Sequence, residues 1–348
     1  MSIYTGTGVS LQKNAAAAGK EAALEAQTSL KIKTNNLPDL AIVFGSPTYP
    51  QEELLHGIRD IISCPLIGSS TAGEISNRGP MMDSVVIMLL SGKEVDFFLE
   101  QGKKVSDIGS FEVGKDFAKK ITNQAKEKNK EITSLMILPD VLGGNGADIV
   151  RGILDVVGEH FPFVGGASGD NQKFKKTFQY FDDSVLSGTL VGLGISGTFS
   201  TGVGVRHGWV PIGLPMKVTK STGSIVQEID HKPALDVYET YFGKDNAELL
   251  KSNDSVSSTQ SVLTYPFGIS APGHDEILIR FATNVDQEGS VTCAAEIPEG
   301  SDIRLMIGSK ERAIEAAKIA AQRALDGLDG KKPQGANIFN SIARQNLF

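Results

Sequence analysis

The order of predicted elements between residues 40 and 206 occurs twice, and this repetition limits the architectures open to the chain. "LAIVFGS" (40–46) is an apolar, β-branched run that reads as a buried strand. "PTYPQEELLHGIRDII" follows with Leu54, Leu55, Ile58, Ile61 and Ile62 at helical spacing, and Pro65, Leu66 and Ile67 then lead to Gly68. "DSVVIMLLSGKEVDFFLEQG" closes the unit as two strands around Ser91 and Gly92, a predicted hairpin over 84–100. The order returns as "SLMILPD" (strand), "VLGGNGADIVRGILDVVG" (loop and helix), "FPFVGG" (strand) and "GTLVGLGISGTFSTGVGVR" (a predicted hairpin over 188–206). Cys64 and Phe161 stand 97 residues apart (161 − 64), and the closing strands 105 apart (189 − 84), so loop lengths differ while the elements agree. The alternative is a chance likeness of two α/β units. The expected fold is an N-terminal α/β domain made of two duplicated halves, about 38–105 and 132–210, followed by a smaller α+β domain. Its sheets are mixed, because hairpins exclude an all-parallel sheet.

Outside the repeat, residues 11–31 carry the Ala-rich "NAAAAGKEAALEAQ", whose strong helix formers predict a helix with small, closely packing side chains. A boundary is expected near 208–216, giving domains of 1–210 and 211–348. Beyond it, "STGSIVQEIDHKPALDVYETYFG" predicts a strand and then a helix that Pro233 opens at its first turn. "HDEILIRFATNVDQEGSVTCAAEIPEGSDIRLMIGS" alternates like an antiparallel meander, and "KERAIEAAKIAAQRALDGL" is an amphipathic helix.

Charge and cysteine content exclude several functions. With 34 basic and 41 acidic residues the net charge is −7, and no long basic block gives the footprint of a nucleic-acid binder. Two distant cysteines, Cys64 and Cys293, form neither a disulfide framework nor a metal cluster, so a reducing, cytoplasmic setting is expected. No run approaches the roughly 20 apolar residues of a membrane span, so no membrane insertion is expected, and the N-terminus lacks the pattern of a secretory signal.

The loops that end the paired units hold the candidate site. In "CPLIGSSTAGEIS" (64–76), Ser69, Ser70 and Thr71 offer hydroxyls and main-chain donors, Gly73 a turn, and Glu74 an acceptor. "FPFVGGASGDNQK" (161–173) supplies Gly166, Ser168, Asp170 and Asn171 in the same pattern. Such a set suits a zwitterion, with small donors for its carboxylate and acids for its amine. The same residues also cap helices and close turns, and that reading stays open. "DVLGGNGAD", with Asp140 and Asn145, precedes a predicted helix, where backbone N–H groups can cradle an anion; a plain tight turn is the alternative. "GLGISG" (192–197) spells a dinucleotide fingerprint without the helix that must follow it, so it reads as a glycine-rich hairpin. No catalytic or metal constellation stands out and no cofactor is called for. Cys64 before Pro65 reads as core, with a nucleophile paired to a histidine as its alternative, and His207 beside Trp209 reads as packing, with haem ligation as its alternative.

"AAGKEAALEA", "LAIVFGS", "PLIGSSTAGEIS", "PFVGGASGDNQKF" and "GTLVGLGISG" resemble successive segments of the FIST N-terminal domain. "YPFGI", "ILIRFATNVDQEGSVTCAAEIPEGSDIRLM" and "ANIFNSIARQNLF" resemble the FIST C-terminal domain. The resemblance covers nearly the whole chain. It implies a non-catalytic sensory protein that binds a small ligand such as an amino acid and passes the signal to a partner such as a histidine kinase, a chemoreceptor or a cyclic-dinucleotide enzyme. A haem-binding gas sensor is the alternative within that class, and a hydrolase using Glu74 or Asp170 beside a Ser is the alternative outside it. The resemblance also implies a C-terminal end that is shortened or diverged, since the chain stops at Phe348 without the family's final Tyr-Gly-Glu segment and has Ser341 where many relatives have Cys.

Overall fold

The computed structural model describes residues 3–248, 265–270, 276–345 and 347. It divides into two compact units, Met1–Thr201 with Lys331–Asn340, and Gly202–Gly330 with Ser341–Phe348. The division at 210/211 expected from sequence left residues 331–340 with the C-terminal part; they pack in the first unit, where Phe339 stands edge-on to Phe44 at 6.1 Å.

In the first unit the repeat is complete. Its first copy runs β1 (Tyr4–Ser10), α1 (Ala15–Lys31), β2 (Leu40–Gly45), α2 (Gln51–Arg59), β3 (Leu66–Ser70), a short hairpin β4 (Glu74–Ser76) and β5 (Gly79–Met81), and β6 (Val85–Ser91). The second runs β7 (Val95–Gln101), a turn of helix α3 (Val105–Ile108), α4 (Ser110–Glu127), β8 (Ser134–Pro139), α5 (Gly146–Val157), β9 (Phe163–Gly165), a hairpin β10 (Gln179–Phe181) and β11 (Ser184–Leu186), and β12 (Leu190–Gly197). Strand order is β1-β6-β2-β3 in one sheet and β7-β12-β8-β9 in the other, with a parallel pair, β2/β3 or β8/β9, at the same place in each. The repeated unit therefore takes in an opening strand and helix that the sequence reading left outside it.

Two expected hairpins are corrected. Residues 85–91 and 95–101 are both strands, but β6 pairs with β1 and β2 while β7 pairs with β12, so the chain crosses between sheets at Gly92. After β12, residues 198–209 make no strand. Gly202 and Gly204 instead lie so close to the helix at 310–326 that a Cβ on either would stand 1.8 Å from the carbonyl oxygens of Ala324 and Ala320.

The strands alternate as a two-sided sheet requires. Ala41 and Val43 of β2 pack with α1 and α2, whereas Leu40 and Ile42 pack with Met136, Leu138, Val191 and Leu193 of the other sheet. On that sheet, Leu135, Ile137 and Leu190 pack with α4 and α5. The result is four layers, helix–sheet–sheet–helix, and each fully buried Leu or Ile in them stabilises the fold by about 1.5–3 kcal/mol. Helix α1 starts at Asn14, whose side chain accepts from Ala17 N at 2.9 Å. Its alanines let β1 approach so closely that a Cβ on Gly8 would lie 2.0 Å from Ala22 O. Gly192 and Gly194 of "GLGISG" play the same part under α4 and its following loop, with Phe117 and Ile132 in the way of any side chain. That motif is thus a strand packed against a helix, neither a hairpin nor a nucleotide loop.

In the second unit, β13 (Val210–Thr222), β14 (Ile225–Ile229), β15 (Lys232–Pro233), β16 (Phe267–Ile269), β17 (Leu278–Arg280), β18 (Ala282–Val285), β19 (Val291–Cys293) and β20 (Asp302–Ile307) form one sheet in the order β17-β16-β20-β13-β14-β19-β18, with β15 beside β14. Its end strands β17 and β18 are neighbours in the chain, so the sheet is nearly a closed barrel around Phe267, Ile303, Leu305 and Val226. Among its described residues are also helices α6 (Asp236–Phe242), α7 (Lys244–Glu248), α8 (Lys310–Asp326) and α9 (Ile342–Gln345). Pro233 opens no helix; it pairs with Glu228 at the sheet edge, where its missing N–H leaves no ladder bond unmade. The meander read from His274 begins outside the described residues, as do Asn346 and Phe348 of the last segment.

Candidate functional site

The loops after β3 and β9 sit at the carboxyl ends of the two parallel strand pairs, the side on which α/β sheets bind ligands. They meet. Ser70 is fully buried; its hydroxyl donates to Gly169 O at 2.7 Å and accepts from Phe178 N at 2.9 Å, while Gly169 N donates to Ser70 O at 2.8 Å. A Cβ on Gly169 would lie 2.7 Å from Ala72 N, so only glycine permits this approach. The β10–β11 hairpin of the second copy joins the first copy's sheet beside β3, which sets Gln179 opposite Ser69.

Gln179 is the residue that sequence reasoning missed. It is completely buried, and its Nε2 donates to Ser168 Oγ at 3.0 Å and Thr177 Oγ1 at 3.1 Å. Its Oε1 has no hydrogen-bond partner among the described residues. Exchanging the amide's O and N does not cure this, because the Thr177 hydroxyl already donates to Asp140 Oδ2 at 2.6 Å and the displaced NH₂ then lacks an acceptor. No motif marked Gln179 in the sequence; its role depends on the strand exchange between copies.

The acids predicted to hold an amine are occupied by the protein itself. Asp140 accepts from Leu142 N (2.9 Å), Gly188 N (3.0 Å) and Thr177. Asp170 accepts from Phe174 N (2.9 Å), Lys175 N (2.7 Å) and Lys176 N (3.1 Å), and Asn171 beside it has φ 57°. Glu74, buried below β6, accepts from Thr71 Oγ1 and from Ser84 Oγ (2.6 Å) and N (3.2 Å), while Gly73 holds φ 132°. Asn145 caps α5 by accepting from Ala147 N at 3.0 Å, and its own N–H goes to Ser110 Oγ at 2.8 Å, so these donors of the expected anion cradle are engaged. Gly166 faces Phe339, whose Cδ1 would be 2.9 Å from a Cβ there. The structure thus gathers Ser69, Ser70, Thr71, Asp140, Ser168 and Asp170 around the Ser70–Gly169 contact and Gln179. It leaves Glu74 turned to Ser84 and Asn145 at the start of α5.

Burial raises the Glu74 carboxyl above its ordinary 4.5, with the Ser84 and Thr71 hydrogen bonds opposing. A carboxyl raised in the fold holds its proton more tightly there than in the unfolded chain. Its stabilising contribution is therefore full below the unfolded value and is lost as pH rises through the folded one. Denaturation midpoints of the wild type should fall as pH is raised above 4.5, and those of Glu74→Gln should not follow; parallel curves would refute this account.

The two other side chains weighed for chemistry are also placed. Cys64 is buried and its thiol is pushed up to about 11 by that burial, which keeps it a thiol at neutral pH. His207 Nδ1 accepts from Trp209 N at 3.0 Å, while its buried Nε2 lies 3.3 Å from Glu276 Oε2 without a hydrogen bond to any described residue. No described helix is long and apolar enough to cross a membrane.

The first unit is thus an internally repeated four-layer α/β unit whose hydroxyl-rich loops meet between repeats, and the second is a barrel-like α+β unit. Residues 39–232 match the FIST N domain and residues 234–348 the FIST C domain, and the chain belongs to the FIST family, whose domains are sensory domains. It is 25% identical over 279 residues to Uncharacterized protein MJ1623 of Methanocaldococcus jannaschii, a match covering 75% of this chain and 52% of the relative. The chain thus spans about half the length of that protein. Uncharacterized protein Rv0628c of Mycobacterium tuberculosis is 24% identical over 349 residues (97% of this chain, 85% of the relative), and Uncharacterized protein Mb0898c of Mycobacterium bovis 24% over 347 (97% and 84%).

Proposed function

We propose that the chain is a cytoplasmic sensory protein that binds a small polar ligand, an amino acid or similar zwitterion, where the loops of its two repeats meet. It passes the signal to a separate protein such as a histidine kinase, a chemoreceptor or a cyclic-dinucleotide enzyme. One observation carries the reading: Gln179 Oε1 is a buried acceptor with no donor among the described residues, set in the polar cluster formed by both loops. A buried carbonyl left unpaired costs about 1–3 kcal/mol, and an ammonium donating to it recovers that loss. In this form of the proposal the amine is held by the amide oxygen instead of by Asp140 or Asp170, whose oxygens already serve backbone N–H groups. The non-catalytic reading is supported by the same saturation: the Ser70 hydroxyl both donates and accepts within the fold, and Glu74 is locked between Thr71 and Ser84. Two free, buried cysteines suit the reducing compartment proposed.

Thermal unfolding across a panel of amino acids tests the proposal. A ligand at a hundred times its Kd should add about 2.7 kcal/mol of stability. The shift should be selective for one or a few compounds and should vanish in Gln179→Met, which keeps the side chain's length and removes its carbonyl. A shift that survives in Gln179→Met, or none for any compound, would remove this site from the proposal.

A further inference from the structure

Asp170 and Asn171 belong to the predicted ligand loop, yet what the aspartate builds is a projection from the surface. Its carboxylate gathers the backbone N–H groups of Phe174, Lys175 and Lys176. Within the loop so formed, Asn171, Gln172 and Phe174 all have left-handed φ, at 57°, 62° and 52°. That conformation is rare for an aromatic residue and persists only where surrounding bonds enforce it. The outcome is an aromatic side chain 63% exposed, flanked by exposed Lys173, Lys175 and Lys176. Lys176 is braced over the Phe178 ring at 4.9 Å. Three lysines and a phenylalanine in four consecutive positions form a local positive, apolar knob on a chain whose net charge is −7.

We infer that the loop 171–176 is a docking knob whose partner is a protein surface with an apolar pocket for Phe174 and an acidic rim for the three lysines. The charge sign selects an acidic partner, and the contrast with the chain's own net charge confines recognition to this loop. Rigidity selects a protein. A backbone already fixed through Asp170 lowers the ordering cost of seating an aromatic anchor in a shaped pocket, an advantage that a fluid lipid surface does not reward. This deepens the proposed function by naming the chemistry of the separate partner, and it does not depend on the ligand or on Gln179.

The test is selection from a random peptide library displayed on phage, with the full chain as bait. Selected peptides should combine aromatic or aliphatic residues with Asp and Glu. Their affinity should fall about thirtyfold in Phe174→Ala, the loss typical of truncating a central anchor. It should also fall in the Lys173→Glu, Lys175→Glu, Lys176→Glu triple variant and with added salt. Phe174 and the lysines are exposed, so these variants keep the fold, and unchanged melting temperatures verify that. Failure to enrich any such peptide, or enriched peptides that bind both variants as tightly as the wild type, overturns the inference. So does binding confined to phosphatidylserine vesicles, which would make the knob a membrane contact. None of these readouts involves the amino-acid panel, so the two proposals fail separately.

Discussion

Gly57→Ala is expected to destabilise the chain by about 3 kcal/mol, and Gly152→Ala to do the same in the second repeat. A Cβ on Gly57 of α2 would stand 2.1 Å from Ala16 O of α1, and one on Gly152 of α5 would stand 2.0 Å from Phe111 O of α4. The reciprocal glycines behave alike, Gly19 meeting Leu54 O at 2.4 Å and Gly114 meeting Ile149 O at 2.1 Å. The obstacles are backbone carbonyls in neighbouring helices, which cannot turn aside as a long side chain does. Alanine in a helix interior is ordinarily worth about 1 kcal/mol over glycine, so the expected change has the opposite sign to propensity. Urea unfolding with an unchanged slope and a lower midpoint is the measurement; a stabilised Gly57→Ala would mean that the helices of each pair lie further apart than described.

Asp170→Ala should cost about 3 kcal/mol as well, because three backbone N–H groups lose a charged acceptor at once and the left-handed residues lose what holds them. Amide exchange over 171–176 should rise with it. Asp170→Asn, which keeps one carbonyl oxygen, should lie between. If Asp170→Ala retained full stability and abolished an amino-acid-induced thermal shift, the carboxylate would be a ligand contact and the structural account of this loop would be wrong.

These residues also show what the sequence could carry. β2, β8, α2 and α5 were legible because each has a run or a period long enough to identify itself: Leu40–Gly45 is continuous and apolar, and Leu54, Leu55 and Ile58 recur at helical spacing. The opening strand was not, since "YTGTGVS" is poor in large apolar residues; its glycines matter only against the alanines of α1. Strand partners were misread at 84–100 because a short connection favours a hairpin locally, whereas here each strand completes a different copy of the repeat. In the site, the two loops meet, but the bonds their residues make were hidden. Ser70 bonds to a residue 99 positions away, and Asp140 to Thr177 37 away, so neither bond leaves a local pattern. Asn145 caps α5, a role that neither the anion cradle nor the tight turn read for its segment named, while Gln179 became visible only through the exchanged hairpin.

That exchanged hairpin has a consequence for the chain as it leaves the ribosome. The first sheet ends in β10 and β11, which are encoded in the second copy, so the free edge of Leu66–Ser70 has no native neighbour until Gln179–Phe181 has been synthesised. Throughout that interval the nascent first copy presents an open strand edge to other nascent chains on the same messenger, the condition under which intermolecular pairing competes with folding. The two copies are therefore duplicates in topology without being independent folding units, and translation that pauses between them prolongs the exposure.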